Sequence, residues 1–240
     1  MKWTYKAKRF LLDLAFPNSC PLCNEFIEYD KFICENCIEK LPIVKTNKCN
    51  RCNNAECTCT DLYYDKCFSF VYYEDLGKKG LLSFKLEGIF NFAEYFSFKA
   101  IDKLSEQGLL SKIDIITCVP MSAKKERVRG YNQAYDFAKM ISRLSKLPLH
   151  GKLLVKENSK IIQHELSAEQ RKIKAYEAFT LKAKPSCIQG KTILLCDDVV
   201  TTGSTLDACA KLLKEAGAKA VYCITIATTR FTDKNKPHDA

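Results

Sequence analysis

Short apolar runs alternate with helical periodicity through most of the chain. Residues 67–73, 113–119, 193–196 and 220–227 are nearly continuous apolar runs, which are typical of buried strands. Helices are predicted over residues 92–107 and at two further places, and the inward-facing positions are Ala93, Phe96, Ala100 and Leu104; Ala134, Phe137, Ala138, Ile141 and Leu144; and Leu206, Ala210, Leu213 and Ala216. A strand, a helix and a strand in succession favour parallel pairing, so the pattern predicts an α/β domain.

The segment after the third apolar run carries the strongest chemical signal. Asp197 and Asp198 end the run, and a small-residue loop follows: Thr201, Thr202, Gly203, Ser204 and Thr205. The N–H groups of a helix that opens at about Ser204 suit a phosphate, because they lack partners inside the helix. The two carboxylates repel phosphate but accept hydrogen bonds from vicinal ribose hydroxyls. The segment therefore predicts a ribose-5-phosphate clamp, with a capped helix of purely structural role as the alternative.

This segment closely resembles the signature of the type I phosphoribosyltransferases, which bind 5-phosphoribosyl-1-pyrophosphate (PRPP). It has the hydrophobic strand, the two acids, two apolar residues and then Thr-Thr-Gly-Ser-Thr. The resemblance implies a Rossmann-like fold with a mostly parallel sheet, and Mg²⁺ bound with PRPP. It also implies that Asp197 and Asp198 hold the ribose, and that the 5-phosphate is held by Thr201, Thr202, Gly203, Ser204 and Thr205.

The cysteines of the first sixty residues form a second pattern. The chain has 14 cysteines, and eight of them occur as closely spaced pairs near the N-terminus. Four thiolates suit tetrahedral zinc, and the sequential grouping predicts a first site of Cys20, Cys23, Cys34 and Cys37 and a less certain second site of Cys49, Cys52, Cys57 and Cys59. A crossed grouping is an alternative, as is a disulfide framework in an exported protein. We recognise no export signal, because Asp13 interrupts the short apolar part of an N-terminal amphipathic helix.

Positive charge is concentrated in the middle of the chain. The formal net charge is +10, and residues 111–190 hold sixteen Lys and Arg against seven Asp and Glu. In phosphoribosyltransferases the loop after the corresponding strand holds pyrophosphate, which makes Met121, Ser122, Ala123 and Lys124 candidates here. Arg127 and Arg129 follow, and their planar guanidinium groups suit phosphates. An anionic ligand larger than one phosphate is therefore expected, such as pyrophosphate or nucleic acid, with a solvated surface that binds no partner as the alternative.

The basic segment also carries a family resemblance. The run Arg127-Val-Arg-Gly-Tyr-Asn-Gln-Ala134 and the later run Gln163-His-Glu-Leu-Ser-Ala-Glu-Gln-Arg171 resemble the ComF competence proteins, and Lys85 matches a lysine of that family. That family joins an N-terminal zinc module to a phosphoribosyltransferase-like domain. The resemblance implies the same organisation here, with the module at about 1–62 and the α/β domain at about 63–240. Residues 156–174 are interpreted as a flap over the site, with a plain surface loop as the alternative.

Three functions are compatible with these features. The favoured one is a ComF-type protein that acts in the cytoplasm during DNA uptake, binding PRPP, single-stranded DNA and a helicase-type competence partner. Four tyrosines beside the basic runs are candidates to stack on bases, with core packing favoured for the last: Tyr63, Tyr64, Tyr131 and Tyr135. The alternatives are an active transferase of the amidophosphoribosyltransferase type, using a small nitrogen acceptor, and a PRPP-sensing regulator. No catalytic base is recognised, and no apolar stretch approaches the length of a membrane span.

Overall fold

A computed structural model describes residues 10, 11, 13, 17–44, 62–157, 176 and 178–230. Six strands are present in this part of the chain: β1 (Lys66–Tyr72), β2 (Ile115–Cys118), β3 (Leu154–Lys156), β4 (Phe179–Leu181), β5 (Thr192–Val200) and β6 (Ala220–Thr228). The α-helices are α1 (Glu35–Glu39), α2 (Asp75–Leu82), α3 (Asn91–Glu106), α4 (Ala123–Arg129), α5 (Gln133–Ser145) and α6 (Ser204–Glu215). A π-helical turn, Ser83–Glu87, follows α2.

The four strands predicted from apolar runs form one parallel sheet in the order β1-β6-β5-β2. The register pairs Cys118 with Cys196 and Asp197 with Thr225. All four strands therefore end at the same edge of the sheet, where ligands bind in open α/β folds. The antiparallel pair β3 and β4 was not foreseen, because three-residue strands leave no periodic signal.

Helices cover both faces of the sheet. Along β5, Leu194 and Cys196 pack into a core with Phe96 and Phe137, which belong to α3 and α5. Ile193 and Leu195 alternate with them and pack on the other face, against α6 and the β3-β4 pair. This two-sided burial explains why the strand is apolar at every position rather than at alternate ones. The predicted helices over residues 92–107 and from Ser204 are thereby confirmed.

The cysteine-bearing N-terminal segment packs against the sheet. The N–H of Val44 donates to the carbonyl of Phe70 at 2.9 Å, and the N–H of Tyr72 donates to the carbonyl of Pro42 at 2.8 Å. These bonds cover the outer edge of β1, which would otherwise present unpaired backbone groups. The side chain of Asn91, at the start of α3, donates to the Oδ1 of Asn18 at 2.9 Å. The module and the α/β domain therefore share one packed interior.

The structure corrects one expectation about a buried aromatic residue, and several other expectations fall outside the described residues. Cys187 is exposed and lies in a surface 3₁₀ turn. Tyr64 is a candidate for stacking on bases by its sequence position, but it is only 1% exposed and packs in the core on the α6 side of the sheet. The second cysteine group, most of the N-terminal helix and nearly all of the flap lie outside the described residues. No helix in the described ranges combines the length and apolar character that crossing a bilayer requires.

Candidate functional site

Four cysteines converge in the N-terminal module. The Sγ atoms of Cys20, Cys23, Cys34 and Cys37 all lie within 4.8 Å of one another. The first pair lies on a tight turn that the N–H of Asn24 closes by donating to the carbonyl of Cys20. Cys34 is the N-cap of α1, and Cys37 lies one turn along that helix. A turn and a helix start thus present two thiols each to one point.

The loop after β5 and the start of α6 form a compact turn. Thr201 and Thr202 are exposed, while Gly203 is buried with a φ of 78°. That φ favours glycine, and an added Cβ would also meet the Oη of Tyr64 at 3.1 Å. The hydroxyls of Thr202 and Ser204 lie 3.0 Å apart. Two hydroxyls therefore lie together at the N-terminus of a twelve-residue helix, where the first backbone N–H groups have no partner inside the helix.

Asp197 and Asp198 lie where β5 loses its regular alternation. Cys196 and Val199 pack against the same core, although strict alternation would place them on opposite faces. The N–H of Asp198 donates to Oδ1 of Asp197 at 2.8 Å, and the N–H of Val199 donates to Oδ1 of Asp198 at 2.7 Å. Each carboxylate therefore accepts a hydrogen bond from the backbone N–H of the next residue. Because the strand does not alternate regularly here, it does not force the two carboxylates to opposite faces of the sheet.

Lys85 supplies the counter-charge to this pair. Its Nζ lies 2.5 Å from Oδ2 of Asp198, and each of the two side chains is 17% exposed. Lys85 belongs to the π-helical turn Ser83–Glu87, a kind of irregularity that often occurs at functional sites. The sequence comparison singled out Lys85 without giving it a role. The structure adds it to the site as the partner of Asp198.

The Arg-Gly-Tyr-Asn-Gln run joins three parts of this edge. The hydroxyl of Tyr131 donates to the carbonyl of Phe84, next to Lys85. The Nδ2 of Asn132 donates to the carbonyl of Val119 at 3.1 Å, and its Oδ1 caps α5 by accepting from the N–H of Ala134. The run therefore fixes both the turn that carries Lys85 and the end of β2. Those two contacts span 47 and 13 residues, which explains why sequence reasoning missed them.

The predicted pyrophosphate residues follow β2 at the same edge. The N–H of Val119 donates to the carbonyl of Cys196 at 2.9 Å, so the loop with Met121 and Ser122 begins beside Asp197. From Ala123 onward the chain forms α4, whose residues are all exposed, including Lys124, Arg127 and Arg129. Arg129 donates from Nη1 to Oε1 of Gln133 at 3.3 Å. The basic side chains thus lie on a solvent-facing helix next to the loop.

Asp207 is a further residue that the sequence did not single out. It is 1% exposed on the first turn of α6, and its carboxylate accepts the N–H of Tyr63 at 2.6 Å and the hydroxyl of Tyr176 at 2.5 Å. The Nζ of Lys211 lies 4.7 Å from the ring centroid of Tyr176. Asp207 therefore fastens two distant chain segments to the helix that follows the small-residue loop. An acidic residue in the first turn of a helix is already explained by its favourable interaction with the helix dipole. The sequence therefore gives no sign of these two distant partners.

Comparison with known families matches both halves of the chain. The phosphoribosyl transferase domain model covers residues 97–240, more than half of the chain. The chain belongs to the phosphoribosyltransferase family. The double zinc ribbon domain model covers residues 11–67. The expected fold class, a parallel phosphoribosyltransferase sheet with a small N-terminal zinc module, is confirmed.

Relatives of this phosphoribosyltransferase-domain protein carry three kinds of name. Adenine phosphoribosyltransferase of Treponema denticola is 30% identical over 68% of this chain and 77% of its own length. Competence protein ComFC of Bacillus subtilis is 26% identical over 80% of this chain and 81% of its own. DNA utilization protein YhgH of Escherichia coli K12 is 35% identical over 46% of this chain, and the match spans about half of that relative's length. The resemblance to the ComF proteins is confirmed.

The zinc ribbon has the donor set and spacing that zinc requires. Four thiolates at about 2.3 Å from a tetrahedral zinc ion lie about 3.8 Å from one another. The Sγ atoms of Cys23 and Cys34 are 3.6 Å apart, and the other separations stay within 4.8 Å. Burial, together with the neighbouring thiols, raises the pKa of the Cys37 thiol. A divalent cation reverses that preference by stabilising the thiolates, so the group fits Zn²⁺.

The pKa of Asp197 lies well above its usual range. Burial of the carboxyl is the main cause, and the neighbouring charge of Asp198 adds to it. Lys85 opposes the shift but does not cancel it. The fold therefore keeps at the end of β5 a carboxyl whose ionised form is disfavoured. Hydroxyl donors from a bound ligand would stabilise that ionised form.

Replacing Cys37 with Ala is expected to remove one zinc ion per chain and to lower the melting temperature, because three thiolates no longer close a tetrahedral site. Zinc is measured by metal analysis of the purified protein. Cys187→Ala is the control, since this cysteine is exposed and remote from the cluster in sequence. Equal zinc content in wild type and Cys37→Ala would contradict the assignment.

Replacing Asp197 with Asn is expected to raise the melting temperature of the ligand-free protein by a few degrees at pH 8. A carboxyl with a raised pKa in the folded state destabilises the fold once the pH exceeds its unfolded pKa, near 4. The amide oxygen can still accept the N–H of Asp198. The gain should shrink as the pH falls toward 4, measured by circular dichroism. Asp102→Asn, on the exposed side of α3, should give no gain at any pH; an equal gain at pH 4 and pH 8 would refute the account.

Proposed function

We propose that this protein binds PRPP at the carboxyl edge of its parallel sheet and acts with single-stranded DNA as a ComF-type protein of DNA uptake. The observation that carries the proposal is the continuous path from Asp197 and Asp198 through the turn at Gly203 into α6. It offers carboxylates to a diol, and N–H groups with hydroxyls to a phosphate. The family membership supports this use of the site.

Different residues would bind different parts of PRPP. Asp197 and Asp198 would accept hydrogen bonds from the ribose hydroxyls. The 5-phosphate would lie on the loop formed by Thr201, Thr202, Gly203, Ser204 and Thr205. The pyrophosphate would extend toward the end of β2, where Met121, Ser122 and Ala123 lead into α4 and Lys124. Mg²⁺ bound with PRPP would supply positive charge to the pyrophosphate oxygens.

Lys85 has a defined part in this arrangement. Its ammonium occupies one oxygen of Asp198 at 2.5 Å in the ligand-free site. Ribose hydroxyls approaching Asp198 would share or displace this contact. A displaced ammonium would then be available to the negative charge of bound PRPP. Tyr131 anchors the turn that carries Lys85 through its bond to Phe84.

The DNA-binding half of the proposal rests on charge and on relatives. Relatives are named competence protein ComFC and DNA utilization protein YhgH. The exposed helix α4 contributes Lys124, Lys125, Arg127 and Arg129, with Val128 82% exposed among them. Such a surface attracts a nucleic acid backbone without reading its sequence. We propose that the protein performs this role in the cytoplasm, with a helicase-type partner.

An active transferase is the second candidate, because adenine phosphoribosyltransferase is a relative that aligns over 77% of its own length. Transfer would break the bond between C1 of the ribose and pyrophosphate, and a nitrogen acceptor would form the new bond at C1. No general base is identified among the described residues. Release of pyrophosphate when adenine is supplied with PRPP would favour this candidate over a binding role alone.

The double variant Asp197→Asn/Asp198→Asn should bind PRPP with Mg²⁺ at least ~2 kcal/mol more weakly than wild type, about thirtyfold in affinity, because hydrogen bonds to charged acceptors are lost. Isothermal titration calorimetry measures the difference. Asp102→Asn changes an acidic residue on α3 and should leave affinity unchanged. PRPP affinity within threefold of wild type in the double variant would rule out the assignment of the diol to these acids.

Replacing Lys124, Lys125 and Arg127 together with Ala should weaken single-stranded DNA binding and flatten its salt dependence. Each lost phosphate contact lowers the slope of log affinity against log salt by about 0.7, so three contacts lower it by about 2. Fluorescence anisotropy with a labelled oligonucleotide gives the slope. The control is Lys78→Ala/Lys79→Ala on α2. An unchanged slope in the triple variant would show that α4 does not contact the strand.

A further inference from the structure

A cavity lies at the pyrophosphate end of the proposed PRPP site and shares Met121 and Ala123 with it. It has a volume of about 780 Å³, within the range of roughly 300–1,000 Å³ for small-molecule sites. One wall is the loop after β2, with Met121, and the opposite wall is the segment from His150 to Lys156. Asp197, Asp198 and the small-residue loop after them do not line it. The cavity therefore adjoins the pyrophosphate end of the site without including its ribose or 5-phosphate end.

The charges of the cavity favour an anion. Among its described lining residues, Lys152, Lys156 and Lys182 carry ammonium groups and Glu126 is the one carboxylate. Lys152 and Lys182 are exposed, so their ammonium groups remain able to contact a ligand. The three lysines come from β3, from the segment before it and from the residue after β4. The antiparallel pairing of β3 with β4, with Leu154 opposite Leu181, therefore brings cations from two distant stretches to one rim.

The remaining walls favour a flat apolar group. Met121, Leu153 and Val155 line the cavity together with the ring of Tyr135, which is 37% exposed. Sequence reasoning favoured core packing for Tyr135, and the exposed ring corrects that expectation. The ring lies against Gly151, where an added Cβ would come within 2.4 Å of it. Glycine at this position thus lets the edge of the ring approach the backbone beside the cavity.

We propose that this cavity binds a nucleotide, with the base toward Tyr135 and Met121 and the phosphate toward Lys152, Lys156 and Lys182. An inorganic anion would use only the lysines, and an apolar ligand would use only the apolar wall. A nucleotide uses both, because it has a flat base and an anionic phosphate. The ligand is either a free nucleotide or one nucleotide of a bound single strand of DNA. The strand source rests on the proposed function, and the free nucleotide does not.

Calorimetry with dTMP and with an oligo-dT strand tests the proposal, using the double variant Lys152→Ala/Lys182→Ala. Both replaced residues are exposed, so the fold should survive. We expect at least about a tenfold loss of affinity for the ligand that binds, because charge-assisted contacts to phosphate are removed. Lys112→Ala/Lys184→Ala removes two exposed lysines that do not line the cavity, and it should stay within twofold of wild type. Gly151→Ala, which displaces the Tyr135 ring, should weaken dTMP but not inorganic phosphate.

The experiment distinguishes a free nucleotide from a DNA strand as the ligand, and it distinguishes failure of this proposal from failure of the proposed function. Binding of dTMP that is sensitive to the variants identifies a free nucleotide; tight binding of oligo-dT alone with the same sensitivity identifies a strand. Either binding should persist in Asp197→Asn/Asp198→Asn, because neither acid lines the cavity. Absence of binding by both ligands, or equal affinity in the variant and its control, would overturn the proposal. PRPP affinity, measured on the same protein, reports separately on the proposed function.

Discussion

The site depends on keeping two neighbouring carboxyl groups at the end of a buried strand. Asp197 and Asp198 follow five buried residues of β5, and the fold disfavours the ionised form of Asp197. Two like charges in such surroundings need donors around them. Here these donors are the N–H groups of Asp198 and Val199 and the ammonium of Lys85. These donors thus offset part of the free-energy cost of holding two carboxylates side by side, and the hydroxyls of a bound diol would offset the rest.

Several other side-chain contacts stabilise the chain around these two carboxyl groups. Tyr131 holds the turn that carries Lys85, and Asn132 holds the end of β2. On the other side, Asp207 ties Tyr63 and Tyr176 to the first turn of α6. The buried amide of Gln133 has an Nε2 without a hydrogen-bond partner among the described residues, next to Asn132 in the same run. The motif shared with the ComF proteins therefore has a structural role at this edge of the sheet.

The local features of the fold could be predicted from sequence, and the long-range ones could not. Continuous apolar runs identified four sheet strands, because strands buried on both faces are apolar throughout. The pair spacing of Cys20, Cys23, Cys34 and Cys37 identified a cluster, because each pair lies on one turn. The partner of Asp198, by contrast, is 113 residues away along the chain, and that of Asp207 is 144 residues away. Periodicity carries no information about such contacts, and the three-residue strands that form the cavity rim were missed for the same reason.

A crystal structure of the protein with PRPP and Mg²⁺ tests the central claim most directly. The account predicts the 5-phosphate on the N–H groups between Thr201 and Thr205, the ribose hydroxyls on Asp197 and Asp198, and a changed contact between Lys85 and Asp198. A ligand bound elsewhere, or an empty turn with both acids still bonded only to their own backbone and Lys85, would contradict it.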